Sequence, residues 1–474
     1  MAEAQKPKKF TILLLTNRDS DNLGDQVIEA CDISIIKTAL YNLKESKYLE
    51  RNDTLRVFIK KHLKFLHKDT DPRRFLGDDF RIISRAASII SNKLMDTNDP
   101  ELLAEAERKI CEADLVIFGG APMFNYLYQR FYIRTIMITE LAKKHNIPVI
   151  FSAVGVERYD EDSEKCQSLK KALNNGAVKM ITTRDGFDQL SSYQEKDSFE
   201  IGKVSDPAVF TREVFSDFVK KKKNNKIGIF VLRGNGFLDN GFNYTRDDAA
   251  KLWIRIGELL EEKGYDYEYI TSGHFGDEAF LDYMIREYNV KSSKCVFNMN
   301  EPERLIRKVS SYSGTISTRL HPSIISYSLG VPSVGIIWNH KVDMFYGSVG
   351  YEDRTVNVAD ITPEAVVEKV VKAVEEGAER DNDFAMSAYD SLVRSIGEVL
   401  GEPDVKPFDY DKFAWAITRF KYKGTSEKQL NTKLQTKFRR AYNNYNANLL
   451  AKERLNAEKK VLKEKLKESE NDNQ

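Results

Sequence analysis

A regular alternation of short apolar segments with longer amphipathic ones constrains the fold of this chain more than any other feature. FTILLLT at residues 10–16 and LVIF at residues 115–118 are typical of the apolar segments, and a polar or glycine-bearing turn follows each. Such runs are almost continuously apolar rather than apolar at every second position, as in parallel strands covered on both faces. The amphipathic segments between them have helical periodicity. The sequence therefore predicts an α/β protein built from repeated strand–helix units.

One charged run divides this alternation into two halves. Residues 220–225 read KKKKNN, a like-charge run with two asparagines that is typical of an exposed linker. We therefore predict two Rossmann-like domains facing a cleft, over residues 1–219 and 226–402. The first carries a charged insertion at about residues 60–100, and residues 403–474 form a helical extension rich in basic and aromatic residues.

Composition excludes several classes of protein. Lysine and arginine number 73 and aspartate and glutamate 72, so no overall basic field favours nucleic acid as a partner. No apolar run approaches the ~18 residues that a membrane span needs. The cysteines are scattered without a C-x-x-C pair, which argues against a disulfide framework or a zinc site. We expect a cytoplasmic protein. The four cysteines are Cys31, Cys111, Cys166 and Cys295.

The stretch from Gly314 to Lys341 contains the densest group of candidate functional residues. A short strand is followed by Arg319, Leu320 and His321, then by a helix entered through a proline, a second strand and finally Lys341. Carboxyl ends of parallel strands meet at the ligand-binding edge of an open sheet. A guanidinium, an imidazole and an ammonium at that edge suit an anionic substrate that also needs a proton. Spacing alone is equally compatible with an arginine paired to a neighbour and a histidine that caps the helix.

Two further arginines follow predicted strands, one in each half of the chain. They are Arg184 and Arg233. With Arg319 and Lys341 they place four cations at strand ends around the predicted cleft. A single arginine at a strand end carries little meaning, but four cations with one histidine indicate an anion site.

Glycine-bearing turns also end predicted strands. In the first turn, Gly24 lets the backbone approach a ligand, and the helix that follows offers free amides to an anion. Asn22 and Asp25 flank this glycine, and Gly119-Gly120 ends a later strand. The dinucleotide pattern G-x-G-x-x-G is absent. Residues 19–21, Asp-Ser-Asp, match the D-x-D pattern of metal-dependent sugar transferases, but such residues commonly form turns and caps, and we expect no metal there.

Taken in order, these motifs resemble those of the polysaccharide pyruvyl transferase family over roughly residues 10–350. The motifs are NLGDQ, VIFGG, TTRD, the pair Asp206-Pro207 and RLHP…GVP…K. The resemblance implies a GT-B-like fold and phosphoenolpyruvate as donor substrate. It also implies a product in which pyruvate forms a ketal on a sugar of a surface-polysaccharide precursor.

The resemblance also implies roles for individual residues. His321 corresponds to the acid of the family and Arg319 to a donor-binding residue, while Arg184 or Arg233 supplies a second arginine. The chemistry of phosphoenolpyruvate itself suggests that Lys341 neutralises the departing phosphate and that no metal or cofactor is needed. Other expected substrate-binding residues are Leu320, Asn22, Gly24, Asp25, Gly119 and Gly120. The chain departs from the family at Ala121-Pro122, where a third glycine often stands, and the acceptor sugar is not specified.

Two other functions remain open at this point. A GT-B glycosyltransferase could use the same cations to hold the diphosphate of a nucleotide sugar. A non-catalytic scaffold of a polysaccharide assembly complex would act through its C-terminal extension instead.

The C-terminal extension has two interpretations of its own. Residues 408–420 are rich in aromatic residues, and residues 426–467 have a helical composition without glycine or proline. Basic residues beside aromatic ones can place a helix on the anionic inner leaflet, where lipid-linked glycan acceptors lie. Packing on the domains, or self-association through a partner helix, is the plainer interpretation, and the narrow, imperfect apolar stripe favours it.

Overall fold

The computed structural model describes residues 9–20, 22–51, 79–127, 130–421 and 427–471. Contacts between residues group the chain into two compact units, one ending at Phe420 and one beginning at Lys421. The first unit contains both sheets and the candidate site. The second unit contains one long helix over its described residues and is described separately.

The first sheet has six parallel strands in the order β2-β1-β3-β4-β5-β6. Its central strands β1, β3 and β4 are buried at every residue except Phe10, as their apolar runs predicted. The strands are β1 Phe10–Thr16, β2 Phe80–Ala86, β3 Leu115–Phe118, β4 Val149–Val154, β5 Val178–Thr183 and β6 Glu200–Lys203.

The second sheet repeats this architecture, with six parallel strands in the order β12-β11-β10-β7-β8-β9. Successive strands are added on one side of β7 up to β9 and on its other side from β10 onward, so the loops after β7 and β10 diverge and leave a crevice at the carboxyl edge. The strands are β7 Lys226–Phe230, β8 Asp266–Ile270, β9 Cys295–Val296, β10 Gly314–Ser317, β11 Ser333–Ile337 and β12 Thr355–Asn357.

Helices connect the strands and cover both faces of each sheet. In the first half they are α1 Leu23–Arg51, α2 Asn92–Thr97, α3 Pro100–Ile110, α4 Phe131–Lys144, α5 Glu164–Leu173, α6 Phe187–Tyr193 and the single turn α7 Thr211–Val214. In the second half they are α8 Arg246–Glu262, α9 Phe275–Tyr288, α10 Pro302–Val309, α11 Leu320–Ser328, α12 His340–Ser348, α13 Pro363–Glu376, α14 Asn382–Leu400 and α15 Tyr410–Ala416.

The edge strand β2 replaces a helix that the sequence predicts over residues 80–95. Phe80 and Ile82 pack against the core on one face of the sheet, and Ile83 packs against the core on the other face. This two-residue period belongs to a strand, and β2 pairs with β1 along its whole length. Residues 60–78 of the predicted insertion lie outside the described residues.

The last helices of the first unit return to the first sheet. Helix α14 packs against α1, β4 and β5. The Ser205 hydroxyl donates to the carbonyl of Ala385 (2.8 Å), and the Ser387 hydroxyl accepts from the backbone of Ser205 (2.9 Å). The halves are therefore joined both by the linker and by a second crossing of the chain. The predicted fold class, two Rossmann-like halves with a helical C-terminal extension, is confirmed.

The second unit contains the helix α16, Glu427–Asn471. Most of its described side chains are exposed, including several large apolar ones. In the described part of the chain, every helix is either too short or too polar to cross a membrane.

Candidate functional site

The carboxyl edges of the two sheets meet where the first strand of one half faces a strand–helix turn of the other. The backbone amide of Leu23, which opens α1, donates to the carbonyl of Ser272 after β8 (2.8 Å). One residue earlier, the side chain of Asn22 lies 3.2 Å from Nδ1 of His321, at the start of α11. The predicted turn after β1 and the predicted RLH stretch are therefore in direct contact across the cleft.

Asn22 links the N-terminus of α1 to the imidazole of His321. Its Oδ1 accepts from the amide of Gly24 (3.2 Å), which assigns the oxygen of the side-chain amide and leaves Nδ2 facing the imidazole. An N–H that faces Nδ1 requires a lone pair there, so the proton of the neutral ring lies on Nε2. Gly24 itself packs so closely on the ring that any side chain at this position would overlap it.

The imidazole of His321 is buried and surrounded by positive charge. Burial lowers its pKa well below the usual range, and the charges of Arg184, Lys341 and Arg319 lower that pKa further. Its Nε2 has no hydrogen-bond partner among the described residues. In the free protein the ring is therefore neutral, with one N–H donor for which the described part of the chain offers no acceptor.

Arg319 is held in place by a buried carboxylate. Its Nε and Nη2 donate to the two oxygens of Asp277, at 3.0 Å and 2.6 Å. Asp277 is fully buried at the start of α9 and also accepts from the backbone amide of Arg233 (2.8 Å). This two-point pairing fixes the plane of the guanidinium. Nη1 of Arg319 has no acceptor among the described residues. The pair with Asp277 is itself the simpler arrangement, an arginine paired to a neighbour, that the sequence spacing also allowed.

Arg184 approaches His321 from the first half. Its Nη1 donates to Asp206 (2.5 Å) and to the carbonyl of Gly120 (3.0 Å), and both charged side chains are nearly inaccessible to solvent. Nε of Arg184 is buried and has no acceptor among the described residues. Burial raises the pKa of Asp206, whereas the adjacent guanidinium lowers it, and the net shift is upward.

The other two predicted cations differ in position. Arg233 directs its guanidinium at Asp239 on the surface, at 3.0 Å, and is not among the charges that act on the imidazole of His321. Lys341 is the second residue of α12, and its ammonium has no hydrogen-bond or ion-pair partner in the described part of the chain. Of the two candidate second arginines, Arg184 is therefore the one brought to His321.

Asp25 is a buried carboxyl group beside these residues. Burial raises its pKa to about 6, although Ser20, Arg184 and Asn17 act in the opposite direction. The Asn17 side chain donates to its Oδ2 at 2.9 Å. A carboxyl group with this pKa exchanges its proton near neutral pH.

The other predicted residues have packing roles. Leu320 is half-buried and packs against the core. A side chain at Gly119 would overlap the carboxylate of Asp32, and one at Gly120 would press on Ile28, so both glycines let α1 lie close to the end of β3. Gly120 also supplies the carbonyl that accepts from Arg184.

Three features of the site do not follow from the sequence interpretation. Ser272 comes from the turn after β8, Asp277 comes from the first turn of the helix α9 that follows, and Asp206 is the partner of Arg184. The turn after β8 also follows a buried strand. The reasoning that selected Arg184 and Arg233 as candidate site residues therefore applies to the residues of this turn as well. The motif Asp206-Pro207 was noted, but nothing in the sequence pairs it with Arg184.

The D-x-D motif of the first turn gives no metal site in the described structure. Asp19 is exposed and accepts from the hydroxyl of Ser88, while Asp21 lies outside the described residues. Across the described ranges, no group of three or more His, Cys, Asp or Glu side chains is arranged to hold a metal ion.

Several solved structures resemble the chain in fold. A UDP-GlcNAc 2-epimerase from Methanocaldococcus jannaschii is 14% identical, with a TM-score of 0.48, and the match covers 82% of this chain and 100% of that one. A UDP-GlcNAc 2-epimerase from Neisseria meningitidis is 11% identical (TM-score 0.46, 83% and 100% covered). A glycosyltransferase from Rickettsia africae is 14% identical (TM-score 0.40, 86% and 97% covered).

A comparison with curated protein sequences finds no match. The sequence model of the polysaccharide pyruvyl transferase family, in contrast, matches residues 22–340. That region begins at Asn22, which contacts His321, and ends one residue before Lys341. It contains the glycine turns, Arg184 and the RLH stretch. Since the match spans more than half of the chain, this protein belongs to the polysaccharide pyruvyl transferase family.

Proposed function

We propose that this protein transfers the enolpyruvyl group of phosphoenolpyruvate onto a sugar of a surface-polysaccharide precursor, forming a pyruvate ketal and releasing phosphate. The observation that carries the proposal is that Arg184, Arg319 and Lys341 all act on one buried imidazole. Two of these cations come from the second half of the unit and one from the first. Arg184 and Arg319 each pair with a carboxylate, whereas the ammonium of Lys341 has no ion-pair partner among the described residues, and an anionic donor between the halves would supply one.

Phosphoenolpyruvate carries a carboxylate and a phosphate, and both groups can accept hydrogen bonds from the guanidinium N–H groups of the site. Nη1 of Arg319 and Nε of Arg184 are planar guanidinium donors without acceptors among the described residues. Guanidinium groups bind carboxylates and phosphates through paired hydrogen bonds, whereas an ammonium acts as a mobile point charge. In this proposal the two arginines hold the donor and Lys341 stabilises the departing phosphate.

The reaction requires one proton at carbon and removes two from hydroxyl groups. Protonation of the methylene carbon C3 makes C2 electrophilic, and a sugar hydroxyl adds there with loss of its proton. A second hydroxyl then displaces phosphate, which breaks the C2–O bond and closes the ketal. One hydroxyl proton replaces the proton given to C3, and the other leaves with phosphate or solvent.

His321 is the proposed proton donor to C3, and its neutral state in the free protein sets a condition on this role. The imidazole must gain a second proton when the donor binds, because a neutral imidazole is a very weak acid. The negative charges of the donor would oppose the three cations that lower the pKa of His321, and so raise it. The second proton would go to Nδ1, and the amide of Asn22 would have to turn so that its oxygen accepts.

The test is a phosphate-release assay with phosphoenolpyruvate and the organism's own glycan precursor, in which mass spectrometry detects pyruvate added with loss of water. We expect His321→Ala to bind phosphoenolpyruvate but to lower turnover by about 10²- to 10⁴-fold, the usual contribution of a general acid. His145→Ala is the matched control, because His145 pairs with Glu107 at the surface, away from the cleft. Near-normal turnover by His321→Ala would refute its role.

The same preparation separates the proposal from its alternatives. Phosphate release should depend on both the donor and the glycan. Transfer from UDP-, GDP- or CMP-sugars without any reaction of phosphoenolpyruvate would instead indicate a glycosyltransferase. Absence of binding to every donor would favour the scaffold interpretation.

A further inference from the structure

The helix α16 carries a compact stripe of large apolar side chains that are exposed. Leu434, Phe438, Tyr442, Tyr445 and Leu449 recur at intervals of three and four residues, and 39–63% of each side chain is accessible to solvent. At 3.6 residues per turn they occupy an arc of about 80°. The rings of Phe438 and Tyr442 lie against each other, with centroids 6.4 Å apart. This set of five residues is called the apolar stripe below.

The charge around the apolar stripe is of one sign. Between Glu427 and Glu453 the helix has no acidic residue, and this part is called the basic segment (residues 428–452). Residues 453–470, called the mixed segment, contain five glutamates among their lysines and arginines. The basic residues of the basic segment are Lys428, Lys433, Lys437, Arg439, Arg440 and Lys452.

We propose that the basic segment binds the surface of an anionic lipid bilayer, with the apolar stripe inserted between the head groups. A helix with an apolar face and a basic polar face lies in the plane of the interface, and tyrosine and phenylalanine rings suit that depth. Anionic lipids attract the basic residues from outside the bilayer. This proposal rests on the second unit alone and does not depend on the proposed reaction.

Self-association fits the same segment less well. Continuing the three- and four-residue spacing beyond Leu449 places Lys452, Asn456 and Lys459 in the seam. In the sequence the same spacing begins at Leu430, so the apolar seam covers residues 430–449, slightly less than three heptads, and a stable coiled coil needs about three or four. Two copies of the basic segment would also bring like charges together, because neither copy offers an acidic side chain.

Flotation of the full-length protein with vesicles tests this proposal. Vesicles of phosphatidylcholine are compared with vesicles that also contain phosphatidylglycerol, at low and at high salt. We expect the protein to float with the anionic vesicles, to stay behind with the neutral ones, and to be released by salt. Equal partitioning between the two compositions, or no flotation with either, would overturn the proposal.

Two variants of the basic segment separate its two contributions. In the charge variant, Lys437→Glu with Arg439→Glu, partitioning should fall by at least about fivefold for each basic residue lost. In the stripe variant, Phe438→Ser with Tyr442→Ser and Tyr445→Ser, flotation should be lost as well. Circular dichroism and phosphate release should match the wild type in both, because every substituted residue belongs to the second unit and every candidate site residue to the first.

Matched controls in the mixed segment keep the test specific. Leu455→Ser with Leu462→Ser removes exposed apolar side chains of the same helix, and Lys459→Glu with Lys460→Glu reverses as many charges as the charge variant. Both controls should float like the wild type. Loss of flotation in either control would overturn the assignment to the basic segment.

Two further results would point to another partner. If the stripe variant floated normally while the charge variant did not, the contact would be electrostatic only, as with nucleic acid, and the proposal would be wrong. Sedimentation velocity showing a dimer that the stripe variant abolishes, without vesicle binding by the wild type, would establish self-association instead.

Discussion

His321 and Asn22 show how one hydrogen bond can set the protonation state of a site. Asn22 is fixed by the amide of Gly24 and directs an N–H at Nδ1, while burial and three cations disfavour a charged ring. Both effects keep the imidazole neutral until an anion enters. The residue proposed as the acid is thus poised to take up a proton together with its substrate.

From this arrangement we predict that the protein takes up a proton when phosphoenolpyruvate binds. The pKa of His321 is well below its usual range in the free protein and should rise when the phosphate and carboxylate bind. Calorimetry in buffers of different ionisation enthalpy should therefore show proton uptake at neutral pH, which His321→Gln abolishes. In steady state, the decline of kcat with rising pH should lie at higher pH than the decline of kcat/KM, since the two report the complex and the free enzyme.

Asn22→Asp tests the hydrogen bond itself. An aspartate can accept both from the Gly24 amide and from a protonated Nδ1, so it should raise the pKa of His321. We expect the decline of kcat to move to higher pH, together with a higher KM for the anionic donor because a negative charge has been added. A pH profile of kcat that does not move would mean that Asn22 does not control the protonation of the ring.

Asp25→Asn should increase stability at alkaline pH. The pKa of Asp25 is raised from 3.8 to about 6, so the native state holds the proton more tightly than the unfolded chain does. That contribution to stability is present at low pH and is lost as the pH rises through 6, which costs up to about 3 kcal/mol. Asparagine cannot ionise, and thermal unfolding should show a gain at pH 8 that is much smaller at pH 4. Asp162→Asn, an exposed control, should give no such difference.

At the scale of elements, a buried ion pair connects the last helices of the first unit, α14 and α15, to the first half of the chain. Arg380, just before α14, pairs with Glu213 of α7 through two contacts of 2.9 Å and 2.7 Å, and Tyr410 of α15 donates to the same carboxylate (2.7 Å). The charged side chains are almost completely buried. Because these elements come from distant parts of the sequence, the pair helps fix how α14 and α15 lie on the first half.

Removing one partner of this pair should be costly. Arg380→Met leaves Glu213 charged and buried, and we expect a loss of about 3–5 kcal/mol in unfolding free energy. The double variant Arg380→Met with Glu213→Gln should recover part of that loss in denaturant titrations. Arg394→Met breaks an exposed pair with Glu200 and should cost less than about 1 kcal/mol. Similar losses for the single and the double variant would show that the charge of Glu213 is not the cause.

Element identities were predictable wherever the local pattern had one meaning. The strands around the RLH stretch and the helix Pro363–Glu376 follow directly from apolar runs and from proline and threonine at a helix start. The strand β2 was not predicted, because a short apolar segment with neighbouring isoleucines is ambiguous and only pairing with β1 resolves it. The sequence places Lys341 just beyond the end of a strand, which β11 confirms, but it does not predict the helix α12 that carries this lysine.

At the scale of the whole molecule, the candidate site exists only because the two halves meet. Asn22 and Arg184 come from the first half, whereas Arg319, His321 and Lys341 come from the second. A ligand that contacts both halves should therefore stabilise the first unit as a whole. This expectation belongs to the assembled molecule rather than to any single residue.

Thermal unfolding measures this stabilisation. Phosphoenolpyruvate at 100 times its Kd should add about 2.7 kcal/mol to the stability of the native state, and the melting temperature should rise with donor concentration. Lys341→Met should weaken the effect, while Lys372→Met, a control at the surface of α13, should leave it intact. A larger rise with UDP-, GDP- or CMP-sugars than with phosphoenolpyruvate would argue for a nucleotide-sugar donor.

The sequence by itself determined the α/β architecture and the edge of the sheets at which the candidate site residues lie. Continuous apolar runs require strands buried on both faces, and residues that follow such strands must lie at the carboxyl edge of a parallel sheet. Arg184, Arg319 and His321 could be placed there for that reason alone. The order of motifs was sufficient to indicate the family.

Tertiary structure alone decided which of these residues meet and in what state. Asp277 lies 42 residues before Arg319, and Asn22 lies 299 residues before His321, so no local pattern relates either pair. The neutral imidazole and the raised pKa of Asp25 result from burial, and burial depends on how the two halves pack. Arg184 and Arg233 each follow a predicted strand in the sequence. Only the packing of the folded chain places Arg184 near the imidazole and Arg233 at the surface.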